Sequence, residues 1–179
     1  MLKVIAIAFA IAAVAFLVVV AVQPAQFRVE RSATIAAPAP MVFGLVNDLH
    51  KWESWSPWAK RDPRMKQTYE GAAAGVGAVT AWSGNNEVGE GRMTITESRP
   101  AERVVIKLEF FRPFSAINTA QFDFRPQGDR TLVTWSMRGT NNFLAKAMHL
   151  FMDVDKMVGT DFEQGLANMN AVATTAATR

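Results

Sequence analysis

Asp48-Leu-His-Lys-Trp-Glu-Ser-Trp-Ser-Pro-Trp-Ala-Lys60 holds three of the chain's five tryptophans, at Trp52, Trp55 and Trp58. A spacing of three places side chains roughly on one face of a helical or 3₁₀ turn, and Pro57 forbids a long regular helix through the segment. Each indole is large, rigid and amphipathic, and its N–H needs a partner wherever it is buried. Two readings follow. The rings plug one end of a small domain, or they wall a cavity for an apolar ligand.

Working outward, Phe27 to Ala36 alternates, with Phe27, Val29, Arg31, Ala33 and Ile35 on one side, and reads as a strand. Pro38 and Pro40 break it and suit the first turn of a helix carrying Val42, Phe43, Leu45 and Val46. Downstream of Asp62-Pro63 the texture is strands and turns: 65–70, then a hairpin of 76–83 with 87–97 across Gly84-Asn85-Asn86. Strands are expected over 103–111, 116–124 and 131–138, the last two forming a hairpin around Pro126-Gln-Gly-Asp129. From Asn142 the apolar period is helical through Phe143, Leu144, Met148, Phe151, Met152, Met157, Phe162 and Leu166. Gly159 and Gly165 interrupt that face and mark a bend or a close contact, and 171–179 reads as a frayed tail. The expected fold class is α+β, an antiparallel sheet with helices segregated to one face.

The front of the chain is different. Val4 to Val22 carries no charge, glycine or proline, and makes a helix of roughly 28 Å at about 1.5 Å per residue. It exceeds the usual signal-peptide core, and the only cleavage candidate, ending at Ala25, has Gln23 where a small residue belongs. The reading is an uncleaved single-pass transmembrane anchor over 1–23, followed by one domain over 24–179. Lys3 before the run nearly balances Arg28 and Arg31 after it. The short leading tail nonetheless points to a domain on the outer, periplasmic side of an inner membrane. The absence of cysteine excludes disulfides without naming a compartment.

Of 19 Lys and Arg, only Lys3 precedes the domain, against 16 Asp and Glu, and the basic residues are scattered. Nothing resembles a nucleic-acid-binding stripe, so nucleic acid is not an expected partner. Nothing in the sequence sets an oligomeric state.

Val29-Glu-Arg-Ser-Ala-Thr-Ile-Ala-Ala-Pro38, leading into Val42-Phe43 and then Leu49-x-x-Trp52-x-x-Trp55-Ser-Pro-Trp58, resembles the START/polyketide-cyclase-like (SRPBCC) superfamily. Tyr69-Glu-Gly71, Trp82-Ser-Gly-Asn85, Glu87-Val-Gly-Glu-Gly91 and the stretch Asp153 to Glu163 match as well, so that the resemblance covers about 27–170. Within the superfamily the chain is most similar to the polyketide cyclase/dehydrase and lipid-transport branch. The resemblance implies a helix-grip fold: a curved antiparallel sheet of about seven strands around a long C-terminal helix, with a hydrophobic cavity between them. Its functions range over lipid and sterol carriage, quinone binding, aromatic polyketide cyclisation and protein-partner roles.

The cavity candidates are Trp55 and Trp58 as gate or wall, Trp82, Met93, Ile95, Phe110, Phe122, Trp135 and Met137 from strands, and Met148, Phe151, Met152 and Met157 from the helix. Methionine adapts to irregular shapes, which suits several hydrophobic ligands. Trp52 is expected to pack structurally, and a filled core without ligand stays open as the alternative. No residue is assigned a catalytic role. His50 reads as exposed or capping, and His149 flanks the helical apolar face. Glu87 and Glu90 are expected on opposite faces of a strand, and Asp153, Asp155 and Asp161 on a solvated helix face or as partners for Lys156. A carboxylate aimed into an apolar cavity can serve as an acid, for which Glu87 and Asp161 are the candidates. No metal-ligand cluster and no cofactor motif is present, and Gly75-x-Gly77 and Gly89-x-Gly91 lack the strand–turn–helix context of a phosphate loop. The expected function is binding or transport of a lipid, quinone or polyketide-like molecule beside a membrane. A cyclase or dehydratase-like enzyme and a ligand-free partner-binding module are the alternatives.

Overall fold

The computed structural model describes residues 1–177. Its first element, α1 (Leu2–Val22), is long and apolar enough to cross a membrane or to serve as a signal sequence. Three residues later the chain enters β1 (Gln26–Ile35). The expected alternation is present there, with Val29 and Ile35 buried and Arg28, Glu30, Ser32 and Thr34 exposed.

Pro38 caps α2 (Ala39–Asn47), whose Val42 and Val46 are buried. A 3₁₀ turn (Leu49–Lys51), the single helical turn α3 (Trp52–Trp55) and a second 3₁₀ turn (Pro57–Lys60) complete the cover on this side. Pro57 ends α3 because it has no N–H to donate and it opens the next turn.

The remaining strands are β2 (Lys66–Gly71), β3 (Ala78–Ser83), β4 (Glu90–Arg99), β5 (Arg103–Arg112), β6 (Ala116–Gln127) and β7 (Arg130–Thr140). All neighbours pair antiparallel in one seven-stranded sheet, in the order β1-β7-β6-β5-β4-β3-β2. The first strand thus lies beside the last, and the helices between β1 and β2 cross one face. Register shifts in β4 between Ile95 and Glu97 bend the strand, as a bulge does.

The C-terminal helical stretch is two helices, not one: α4 (Phe143–His149) and α5 (Val154–Ala177). The break falls before Gly159. Asp153 Oδ1 accepts from the Lys156 amide at 2.9 Å, starting a new helix, just as Asn142 Oδ1 caps α4 through the Ala145 amide at 2.8 Å. Helix α5 also runs on to Ala177 with Ala173 fully buried, so the expected fraying from 171 is replaced by packing; 178–179 lie outside the described residues.

Phe162, Leu166, Met169 and Ala173 recur every three or four residues and bury one face of α5 on the sheet. The two internal glycines are close contacts. A Cβ on Gly159 would lie 2.0 Å from Arg31 Nη2, and one on Gly165 would lie 2.7 Å from Trp135 Cζ3. Helix α5 is therefore drawn onto β1 and β7 at two points where a side chain would hold it off. The fold is the helix grip: sheet, long C-terminal helix and cover.

Candidate functional site

The inner face of the sheet is divided. Toward its Ile35 end, Ile35, Val104, Ile106, Phe122, Phe124 and Val133 are packed solid beneath α2, α3 and α5. Toward the Gln26 end the packing opens into a cavity of about 340 Å³ between the sheet, the first turns of α5 and the tryptophan segment. The filled core and the cavity are both present, at opposite ends of one face.

The aromatic wall begins with α2. Its last carbonyls have no helical partner and are taken by indoles: Trp52 Nε1–H donates to Val46 O and Trp55 Nε1–H to Leu45 O, each at 2.9 Å. Those bonds fix both rings. Trp55, with no exposed surface, lies edge-on to Phe122 and Trp135 and belongs to the filled core. Trp52 lines the cavity, as does Trp58 beyond Pro57, with its ring centroid 5.8 Å from that of Trp135. Asn168 on α5 ties the segment down by donating to Trp55 O at 3.0 Å.

Trp135 on β7 is the keystone of the wall, stacked on Phe162 at 4.0 Å and on Phe122 at 4.7 Å. It lines the cavity, is 2 % exposed, and its Nε1–H has no hydrogen-bond partner among the described residues. A buried unpaired donor of this kind costs about 1–3 kcal/mol relative to a satisfied one.

Of the candidate residues, Trp58, Trp82, Met93, Phe110, Trp135, Met137 and Met157 line the cavity, along with Glu87 and Asp161. Ile95 and Phe122 lie with Trp55 in the filled core. Met148 on α4, and Phe151 and Met152 in the break at 150–153, lie outside the cavity lining, with Phe151 79 % exposed. Not anticipated were Trp52, Met65, Leu108, Ala120 and Phe162, which also line it. Strand alternation already placed Leu108 with Phe110, and Ala120 with Phe122, so period two was the available signal.

The polar groups are few and mostly engaged. Asp161 is held by the Arg61 guanidinium in a two-point pair, so its carboxylate is neutralised where it meets the cavity. Glu87 sits in the β3–β4 turn and not on a strand: its amide donates to Asn85 Oδ1, and its side chain is exposed at the rim. Buried Asp62 accepts from the Asn85 amide at 2.7 Å and the Arg64 amide at 3.0 Å, pinning the turn to the segment after Lys60.

Neither histidine reaches the cavity. His50 stacks on Tyr69 at 4.0 Å beside Asp48, and His149 meets the edge of Phe27. Desolvation, followed by the charges of Glu53 and Asp48, pushes the Tyr69 hydroxyl above its ordinary value. No group of three or more metal-ligating side chains exists among the described residues.

Outside the cavity, Arg31 clamps β1 to α5. Its guanidinium bonds Asp155 at 2.9 Å and Glu163 at 2.8 Å through the space that Gly159 leaves. The hydrogen bonds to Asp155 and then Glu163 raise the Arg31 pKa, and the reciprocal bond holds Asp155 below the usual carboxylate range.

A sequence family described as polyketide cyclase/dehydrase and lipid transport matches residues 26–174. The chain belongs to that family. Membership suggests hydrophobic-ligand binding, and solved structures give the family member its fold relatives. The di-domain ARO/CYC StfQ from the steffimycin biosynthetic pathway matches with a TM-score of 0.62 at 13% identity, over 86% of this chain and 52% of StfQ. Ginseng major latex-like protein 151 from Panax ginseng matches with a TM-score of 0.61 at 13% identity, over 84% and 99% of the two chains. The Aha1 dimer from Colwellia psychrerythraea matches with a TM-score of 0.58 at 13% identity, over 82% and 96%. At these identities the likeness is one of fold. No curated protein matches the family member by sequence.

Proposed function

We propose that the chain binds and carries a hydrophobic small molecule (a lipid, quinone or polyketide-like compound) in the cavity, beside a membrane held by α1. The division is an anchor over 1–23 and a ligand-binding domain over 24–179, placed on the outer side of an inner membrane. The carrying observation is the cavity itself, walled mostly by aromatic, methionine and aliphatic side chains. Such a lining suits a ligand that is mostly hydrocarbon.

Native mass spectrometry of the full chain in mild detergent, with lipid extraction, tests this. A small apolar molecule should accompany the purified protein and be lost in Ala120→Leu, which fills the cavity from the sheet side. An empty wild-type chain, or a ligand retained equally by the filled variant, overturns the reading.

A cyclase or dehydratase-like enzyme is the second reading, favoured by the presence of Asp161 and Glu87 on the cavity lining. Against it stands the engagement of Asp161 by Arg61. Loss of turnover on a polyketide-type substrate in Asp161→Asn, with the fold and ligand retained, would favour the enzyme.

A further inference from the structure

Helix α4 does not pack on the sheet like α5; it packs on α1. Lys146 Nζ donates to Ala21 O at 3.2 Å, and the rings of Phe151 and Phe16 lie 6.4 Å apart. The pairs 21 with 146 and 16 with 151 run in opposite senses, so the segment from Lys146 to Phe151 turns back alongside α1. Phe16 lies six residues before Val22, roughly 9 Å down the helix at about 1.5 Å per residue. Wherever the end of α1 meets a membrane surface, Phe151 lies below it.

The composition of this elbow suits that depth. Its large apolar side chains face outward, with Phe143 52%, Leu144 55%, Phe151 79% and Met152 41% exposed. No carboxylate occurs between Arg138 and Asp153, and the one full cation is Lys146, whose stem reaches back toward the helix exit. An exposed apolar group of this size in a short segment marks an interaction site. A membrane leaflet is the partner that fits both the anchor beside it and the run from 139 to 152, whose apolar side chains precede the first carboxylate at Asp153.

We propose that the α4–α5 elbow inserts into the same leaflet as α1, so that two elements hold the domain to the bilayer. Met157, in the first turn of α5 after the elbow, lines the cavity. The insertion therefore sets one wall of the cavity at the membrane surface, facing the source of an apolar ligand. This rests on the reading of α1 as a membrane anchor.

The absence of cysteine permits single labelling sites in the full chain. Phe9→Cys, Phe151→Cys and Asp129→Cys, each carrying an environment-sensitive fluorophore, are reconstituted in vesicles of phosphatidylcholine with a minority of phosphatidylglycerol. Quenchers are spin-labelled acyl chains from the lipid side and iodide from the water side. The expected result is a blue shift and loss of emission by the lipid quencher at positions 9 and 151, with iodide alone acting at 129, in the opposite β6–β7 turn. Lipid quenching at 9 with iodide quenching at 151 overturns the insertion and leaves the anchor standing. Iodide quenching at 9 overturns both. Phe143→Cys repeats the measurement should the label at 151 disturb folding.

Discussion

Gly165 leaves room for one indole, and Trp135 uses it. Gly165→Ala would set a Cβ 2.7 Å from Trp135 Cζ3 and 3.2 Å from Pro57 Cδ, so α5 or the tryptophan wall must shift. Overpacking of this kind costs about 1–3 kcal/mol, and a lowered thermal midpoint of the full chain measures it. At this scale the sequence was half legible. The three-residue spacing of Trp52, Trp55 and Trp58 gathered the rings correctly, yet it cannot say which ring turns to the cavity. That choice is made by carbonyls at the end of α2, through hydrogen bonds between Val46 and Trp52 and between Leu45 and Trp55.

Strands β1, β5 and β7 were readable because alternation is a property of the chain itself, and one buried face selects it. The break between α4 and α5 was not, because apolar residues continue at helical spacing across it and Asp153 resembles any surface aspartate. Its capping bond makes the difference, and Asp153→Ala should cost about 1 kcal/mol and lower helicity at the start of α5, as read by amide exchange at Lys156 and Met157. The Arg31 clamp has its own pH dependence. Asp155 is depressed below its ordinary value of 3.8, so its contribution is complete above that value and lost as pH falls through the lower folded one. Acid titration of the full chain should therefore loosen α5 from β1 below about pH 4, an effect that Asp155→Asn reduces, leaving the part carried by Glu163. Amide exchange along β1 reports it.

Across the whole molecule, the two ends of one sheet divide the work between solid packing and an open space, and neither strand pattern nor composition shows where the boundary falls. It falls where α3 stops and Pro57 redirects the chain. Phe162→Ala should enlarge the cavity from the helix side and cost about 3–5 kcal/mol, since the same ring supports Trp135. Denaturant unfolding checks that figure. Only Gln23, Pro24 and Ala25 separate α1 from β1, a link that reaches no more than about 10 Å when extended. On the proposed reading of α1 as an anchor, a carrier tethered so closely cannot ferry cargo across a gap between two membranes. It would then work as a fixed berth: lipids of its own bilayer would stand at a very high local concentration, so that weak affinity would be enough for loading. Whatever receives such a cargo would have to come to the berth.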